Sequence, residues 1–195
     1  ENDVVERCRI EMTGARILAR WSVPRATEAA SAAVVLADRA ADPMLQVRSR
    51  SHLGVQYLAT RRIKDASRAG RTAAAIAERT GSRALMVQAL LGVASPRLWV
   101  GQAPEAMETL ERAWTMSVEY PRLNGIAAGW FARALHEVGA DDVDRALTVS
   151  ARAADRAPRS PHHAIEAEIL LERGDPAAAL GRLETATAVS GRAPA

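Results

Sequence analysis

The chain has 195 residues, of which 48% are hydrophobic but only 4% aromatic, so its apolar content is small-residue packing of the kind found between closely spaced helices. The formal net charge is +3, Lys64 is the single lysine, and arginines alternate with acids, as in Glu78-Arg79, Glu111-Arg112, Asp144-Arg145 and Glu172-Arg173, which excludes the concentrated basic stripe that nucleic-acid binding needs. The single Cys8 excludes an internal disulfide framework and fits a reducing cytoplasm, and neither a signal peptide nor the ~18 uninterrupted apolar residues of a membrane span occurs.

Alanine, the best helix former, is abundant, whereas β-branched and aromatic residues are too scattered to form alternating strands. The pattern predicts helices over 2–20, 24–40, 43–60, 63–80, 83–100, 103–118, 122–138, 142–157, 161–173 and 176–190. Asp42-Pro43, Gly81-Ser82, Tyr120-Pro121 and Ser160-Pro161 mark starts, since an Asp or Ser oxygen caps and proline fits the first turn. Gly101, Gly139 and Gly174-Asp175-Pro176 divide the later pairs. Ser95-Pro96 falls inside the fifth helix, where proline removes a hydrogen bond and predicts a kink. Asp141-Asp142-Val143-Asp144 lacks the ordered ligands and closing glutamate of a calcium loop and reads as a helix start.

These elements repeat. Ala26, Ala66, Ala106 and Ala146 recur every 40 residues, each followed seven positions later by another alanine: Ala33, Ala73, Ala113 and Ala153. A fifth pair, Ala179 and Ala186, follows after 33. Residues seven apart lie two turns on along one helix face, so each pair marks the close approach of a neighbouring helix. The fold class that follows is all-α: a right-handed superhelix, or α-solenoid, of about five antiparallel hairpins over 2–42, 43–82, 83–121, 122–160 and 161–191. The chain opens on Glu1 rather than methionine and is expected to be part of a longer protein.

Leu53-Gly54, Tyr57, Ala66 and Ala73 resemble the tetratricopeptide repeat (TPR): a large and a small residue on the first helix, an aromatic a turn later, and two alanines on the second. Glycine at the small position lets backbones approach, with Tyr57 beside it. Gly14 with Ile17 and Ala167 with Leu170 repeat the arrangement, the fourth repeat ends on Pro158, and its small position falls at Ala132, beside Phe131 and Leu135. A period of 40 instead of 34 resembles the longer-helix variety of bacterial signal-responsive regulators, including LuxR-type and related multidomain activators.

The resemblance implies a non-catalytic interaction or sensor module of a bacterial transcriptional or signalling regulator. Its partner would be a protein or peptide, or another domain of the same chain, and a homodimer is compatible with it. The alternatives are a small-molecule effector-binding domain, for which four tryptophans and one phenylalanine offer little lining, and a purely structural adaptor. No cofactor, metal, membrane contact or direct nucleic-acid contact is expected. His162-His163 point apart on a helix with no further ligand at zinc spacing, and Ser, Cys and His form no nucleophile set. The first helix of each hairpin lines the concave side of a solenoid, so the candidate partner-binding residues are Arg48, Ser51, Trp99, Arg133, His136, Glu137, Glu168 and Glu172. Arg133 and Glu137 fit an i,i+4 ion pair equally well, and Trp99 fits either an interface anchor or packing against the next helix.

Overall fold

The computed structural model describes residues 2–139, 143–144, 147–148, 150–151 and 162–190, with no strand among them. Its helices are α1 (Asn2–Leu18), α2 (Val23–Ala40), α3 (Pro43–Ala59), α4 (Ile63–Thr80), α5 (Arg83–Leu98), α6 (Ala103–Met116), α7 (Pro121–Glu137), α8 (His162–Glu172) and α9 (Pro176–Ser190). All nine lie within two residues of the expected spans. Val143, Asp144, Leu147, Thr148, Ser150 and Ala151 are also helical. The expected alanines at 146 and 153, Pro158, the Asp141-Asp142 start, the Ser160-Pro161 start and the side chain of Ala186 lie outside the described residues.

The turns behave as their residues dictate. The Asp42 carboxylate accepts from the backbone N–H of Met44 and Leu45 at 2.8 and 3.2 Å, satisfying two of the free donors at the start of α3. Ser82 does the same for Leu85 at 3.4 Å. Gly81 ends α4 in the left-handed region at φ 64° and returns its N–H to Glu78, a conformation that glycine adopts without strain.

Contacts group the chain into two compact units, Glu1–Val100 and Gly101–Ala195. In the first, α1 packs on α2, α2 on α3, α3 on α4 and α4 on α5. The first helices α1, α3 and α5 also touch in succession, whereas α2 and α4 do not. The unit is therefore tighter on its first-helix side. Ala26, Ala33, Ala66 and Ala73 are all buried, as the two-turn spacing requires. Cys8 and Leu45 close on Ala33 and Ala37, Ala15 and Leu53 on Ala30, and Val47 and Ala89 on Ala73 and Ala77.

Two details differ from the sequence reading. Gly14 takes no part in a close approach: a methyl there would meet nothing within 4 Å, Ile17 is exposed, and Ala15 is the buried small residue of α1. At Gly54 a methyl would meet Ala66 and Ala69 at 3.9 Å, an ordinary contact. The crossing that demands glycine lies elsewhere, between α4 and α5. A Cβ on Gly70 would overlap the Gly92 carbonyl oxygen and stand 2.6 Å from its carbon. Pro96 lies in the last turn of α5, which continues to Leu98. Lacking an N–H, it cannot bond the Gly92 carbonyl four residues back, and that carbonyl is the one turned toward Gly70.

In the second unit α6 packs on α7, α7 on α8 and α8 on α9. Trp114 meets Phe131 with ring centroids 5.2 Å apart in a tilted arrangement typical of aromatic pairs. Asn124 of α7 donates to Ser117 Oγ at 3.1 Å and to the Trp114 carbonyl at 3.4 Å, fixing the turn into α7. Ala106, Ala113 and Ala179 are buried, as are Phe131, Ala132 and Leu135, which places the small position of this repeat at Ala132.

The two glycines separate in a stability experiment. Gly70→Ala is expected to cost about 1–3 kcal/mol through overpacking against backbone, and Gly54→Ala to gain about 0.5–1 kcal/mol from reduced chain entropy. Urea unfolding of both variants, followed by helical circular dichroism, checks the opposite signs.

Candidate functional site

The first helices can be aligned by their turns. The caps Asp42 and Ser82 open α3 and α5, Pro121 opens α7 as Pro43 opens α3, and residues 173–175 lead from α8 into α9 as 60–62 lead from α3 into α4. In this register Arg48, Ser51, Val55 and Ala59 of α3 correspond to Gln88, Leu91, Ser95 and Trp99 at the end of α5. They correspond to Ile126, Gly129, Arg133 and Glu137 of α7, and the last three to Ala164, Glu168 and Glu172 of α8. Seven of the eight candidate residues thus fall at equivalent positions of their hairpins, Arg48, Ser51 and Trp99 in the first unit and Arg133, Glu137, Glu168 and Glu172 in the second, and His136 stands beside Glu137.

The reason this row is free is clearest on α3, which is packed by α1, α2, α4 and α5. Met44, Arg48, Val55 and Ala59 are what those contacts leave exposed. Ser51 is half-buried and donates to the Val47 carbonyl of its own helix at 2.9 Å, so its hydroxyl is left only as an acceptor. Leu91 and Gly129 are buried members of the row. Trp99 is 52% exposed, so packing uses only half of its surface.

In the second unit the row carries a charge network. Arg133 Nε donates to Glu137 Oε1 at 2.6 Å and its NH1 to Glu172 Oε1 at 2.9 Å, while His136 Nε2 lies 3.0 Å from Glu172 Oε2. Arg133 therefore clamps an acid of its own helix and one of α8. Burial would raise the Glu172 carboxyl, but hydrogen bonding and charge from Arg133, with His136, hold it below the usual carboxylate range. Burial works against the Arg133 charge, yet Glu137 and Glu172 raise its pKa further. Glu168 stands exposed one turn before Glu172. Asp144 and Arg173 form a second bridge, with Arg173 NH2 3.3 Å from Asp144 Oδ2, and the guanidinium lowers the Asp144 carboxyl.

A deeper charged group was missed in the sequence. Glu166 is almost fully buried between α8 and α9, with Arg182 Nε at 3.5 Å and His163 Nδ1 at 3.9 Å. Its i,i+3 spacing from His163 was the available signal. His163 is itself buried, and the side chain of His162 lies outside the described residues. Among the described residues no group of three His, Cys, Asp or Glu is placed to hold a metal. Cys8 is buried and donates to the Ala33 carbonyl at 3.3 Å, and burial, helped by Asp42, pushes its thiol up, which suppresses the thiolate that nucleophilic chemistry needs. No helix is long and apolar enough to cross a membrane among the described residues.

No family model matches the chain, and no curated protein does. Solved structures do. Crystal structures from Podosopora anserina, described as kinesin light chain nearly identical TPR-like repeats, superpose with a TM-score of 0.60 at 20% identity. One covers 96% of this chain and 98% of its own, and a single-substitution form covers 94% of each. At that identity the likeness shows the fold: an all-α array of TPR-like hairpins.

The charge network gives the second unit a pH dependence of known sign. Because the Glu172 carboxyl is lowered in the folded state, its contribution is complete above the unfolded carboxylate value, about 4.3, and is lost as pH falls through the lowered folded value. Glu172→Gln is expected to cost about 0.5–1 kcal/mol at neutral pH and nothing in strong acid. Thermal melts of both proteins across that range check the convergence.

Proposed function

We propose that the chain is a non-catalytic interaction module that holds a protein or peptide segment along the inner row of its first helices. The observation that carries this reading is the row itself. In the first unit, packing buries four sides of α3 and leaves Arg48 and Val55 exposed in register with Trp99. Tryptophan and arginine are among the residue types most enriched at interface hot spots, and this unit exposes Arg48 early in α3 and Trp99 just after α5. The TPR-like fold of the matching structures supports the same class of role by analogy. In the second unit Arg133 and Glu172 are committed to each other, to Glu137 and to His136, so the group left to a partner there is the exposed carboxylate of Glu168. A ligand with basic side chains suits that stretch. The context of a bacterial transcriptional or signalling regulator rests on the 40-residue period, and that of a reducing cytoplasm on the single Cys8.

The test begins by selecting binders from a displayed random-peptide library against the intact chain. Calorimetry with the selected peptide should show at least a tenfold loss of affinity for Trp99→Ala and for Arg48→Glu, with helical content and melting temperature unchanged. Unchanged affinity in both variants contradicts the assignment. Coincident loss of fold would make these residues part of the core.

A further inference from the structure

Arginines and acids alternate along much of the sequence, but the fold does not keep them mixed on every helix. Of the sixteen arginines and lysines in the first unit, seven lie between Arg61 and Arg83, where the acids are only Asp65 and Glu78. Among the described helices α4 packs on α3 and α5, and it turns Ala66, Ala69, Gly70, Ala73, Ile76 and Ala77 inward. The opposite face carries Lys64, Arg68 and Arg71, at i, i+4 and i+7, with Arg79 two turns on, and all four are exposed. Residues so spaced stand in one line along a helix. Exposed Arg61 and Arg62 precede the line, and exposed Arg83 follows it.

Little in the packed helices neutralises this face. The α3 and α5 segments contain no acid. Asp65 is shared, its Oδ2 accepting from Arg62 Nε at 2.8 Å and its Oδ1 from Arg68 NH1 at 3.3 Å. Of the two acids of α2, Glu28 is exposed and Asp38 is held by Arg50 at 2.8 Å. Among the described residues Lys64, Arg71 and Arg79 pair with no acid. Like charges at i,i+3 and i,i+4 destabilise a helix, so helix stability does not account for the arrangement. Nor does the repeat require it. Forty residues earlier the positions of Lys64, Arg68 and Arg71 hold Pro24, Glu28 and Ser31, and forty residues later Pro104, Glu108 and Glu111.

We infer that the outer face of α4 docks an acidic tract, a run of Asp and Glu side chains on a partner protein. The occupant follows from the charge: a line of cations that the packed helices leave unbalanced is complementary to closely spaced carboxylates, which a guanidinium binds two oxygens at a time. Carboxylates suit it better than nucleic acid. Single-strand sites stack bases on aromatic rings, but α4 has no aromatic residue, the nearby Tyr57 ring is covered by Arg62 at 4.4 Å from its centroid, and Glu78 interrupts the line before Arg79. The exposure is that of an interior helix, flanked by α3 and α5. A face of this kind speeds and orients association more than it adds affinity. It is separate from the inner row of first helices and goes beyond the role proposed for that row.

Fluorescence anisotropy of a labelled deca-glutamate peptide with the intact chain tests this. Binding is expected at about 0.05 M salt and should weaken steeply toward about 0.5 M, where exposed charges are screened. Lys64→Glu/Arg71→Glu should weaken it at least tenfold with an unchanged melting temperature, and Lys64→Ala/Arg71→Ala, which only removes charge, should act in the same direction. Arg112→Glu/Arg122→Glu makes the same change of net charge on the second unit and should alter affinity less than twofold. Arg48→Glu, on the inner row, should also leave it unchanged, so the two surfaces stand or fall separately. No binding at low salt would overturn the inference. Equal loss in the two Glu double variants would overturn it too, since that is a response to net charge alone. Tighter binding of an oligothymidylate of equal charge, abolished by the same Lys64 and Arg71 changes, would replace it with a nucleic-acid surface.

Discussion

Close approach of helix backbones at small side chains is the constraint on which the rest of this structure depends. Alanines at two-turn spacing are buried on α2, α4 and α6, and at the α4–α5 crossing even a methyl group is too large. Such interfaces hold many short contacts, each worth little, and they tolerate volume changes poorly. They set which helix lies against which: in the first unit α2 is wedged between α1 and α3 and α4 between α3 and α5, and α1, α3 and α5 are brought side by side. On α3 a single free row, with Arg48 and Val55, is the consequence.

That row has two chemical characters. Along α3 and the end of α5 it presents Arg48, Val55 and Trp99, a guanidinium and apolar surface with little internal pairing. Along α7 and α8 it presents a network whose cation is already satisfied, with Arg133 shared between Glu137 and Glu172. The same residue types therefore do different work. Arg133 joins two helices, and a partner would find it neutralised, whereas Glu168 stands exposed and Glu172 keeps half of its surface in solvent. The pair Asp144–Arg173 ties α8 to the segment before it in the same manner. These exposed bridges fix geometry more than they add stability.

Much of this was legible in the sequence, for definite reasons. Helix bounds followed from Asp-Pro and glycine turns because caps and left-handed turns are local chemistry. The alanine period followed because the second helices share one register. The chosen first-helix residues fall, His136 apart, at equivalent positions of their hairpins because the turns that set the register are themselves local. What could not be read was tertiary. Gly70 and Gly92 are ordinary helix glycines until α4 is laid across α5, and Gly14 was given the role of Ala15 because one extra residue in the first turn shifts α1 by a position. Arg133 and Glu172 are 39 residues apart, so the nearer Arg133–Glu137 pair was visible and the interhelical half of the clamp was not. Burial of Glu166 requires Arg182 from another helix, which no local pattern announces.

Packing of small residues leaves first-helix positions such as Arg48 and Val55 uncovered, and those positions are the proposed place for a partner. Hydrogen-exchange mass spectrometry with a bound, library-selected peptide reads this most directly. Added protection concentrated in α3, α5, α7 and α8, with α2, α4 and α6 unchanged, is the predicted result. Protection confined to α2, α4 and α6 would contradict it.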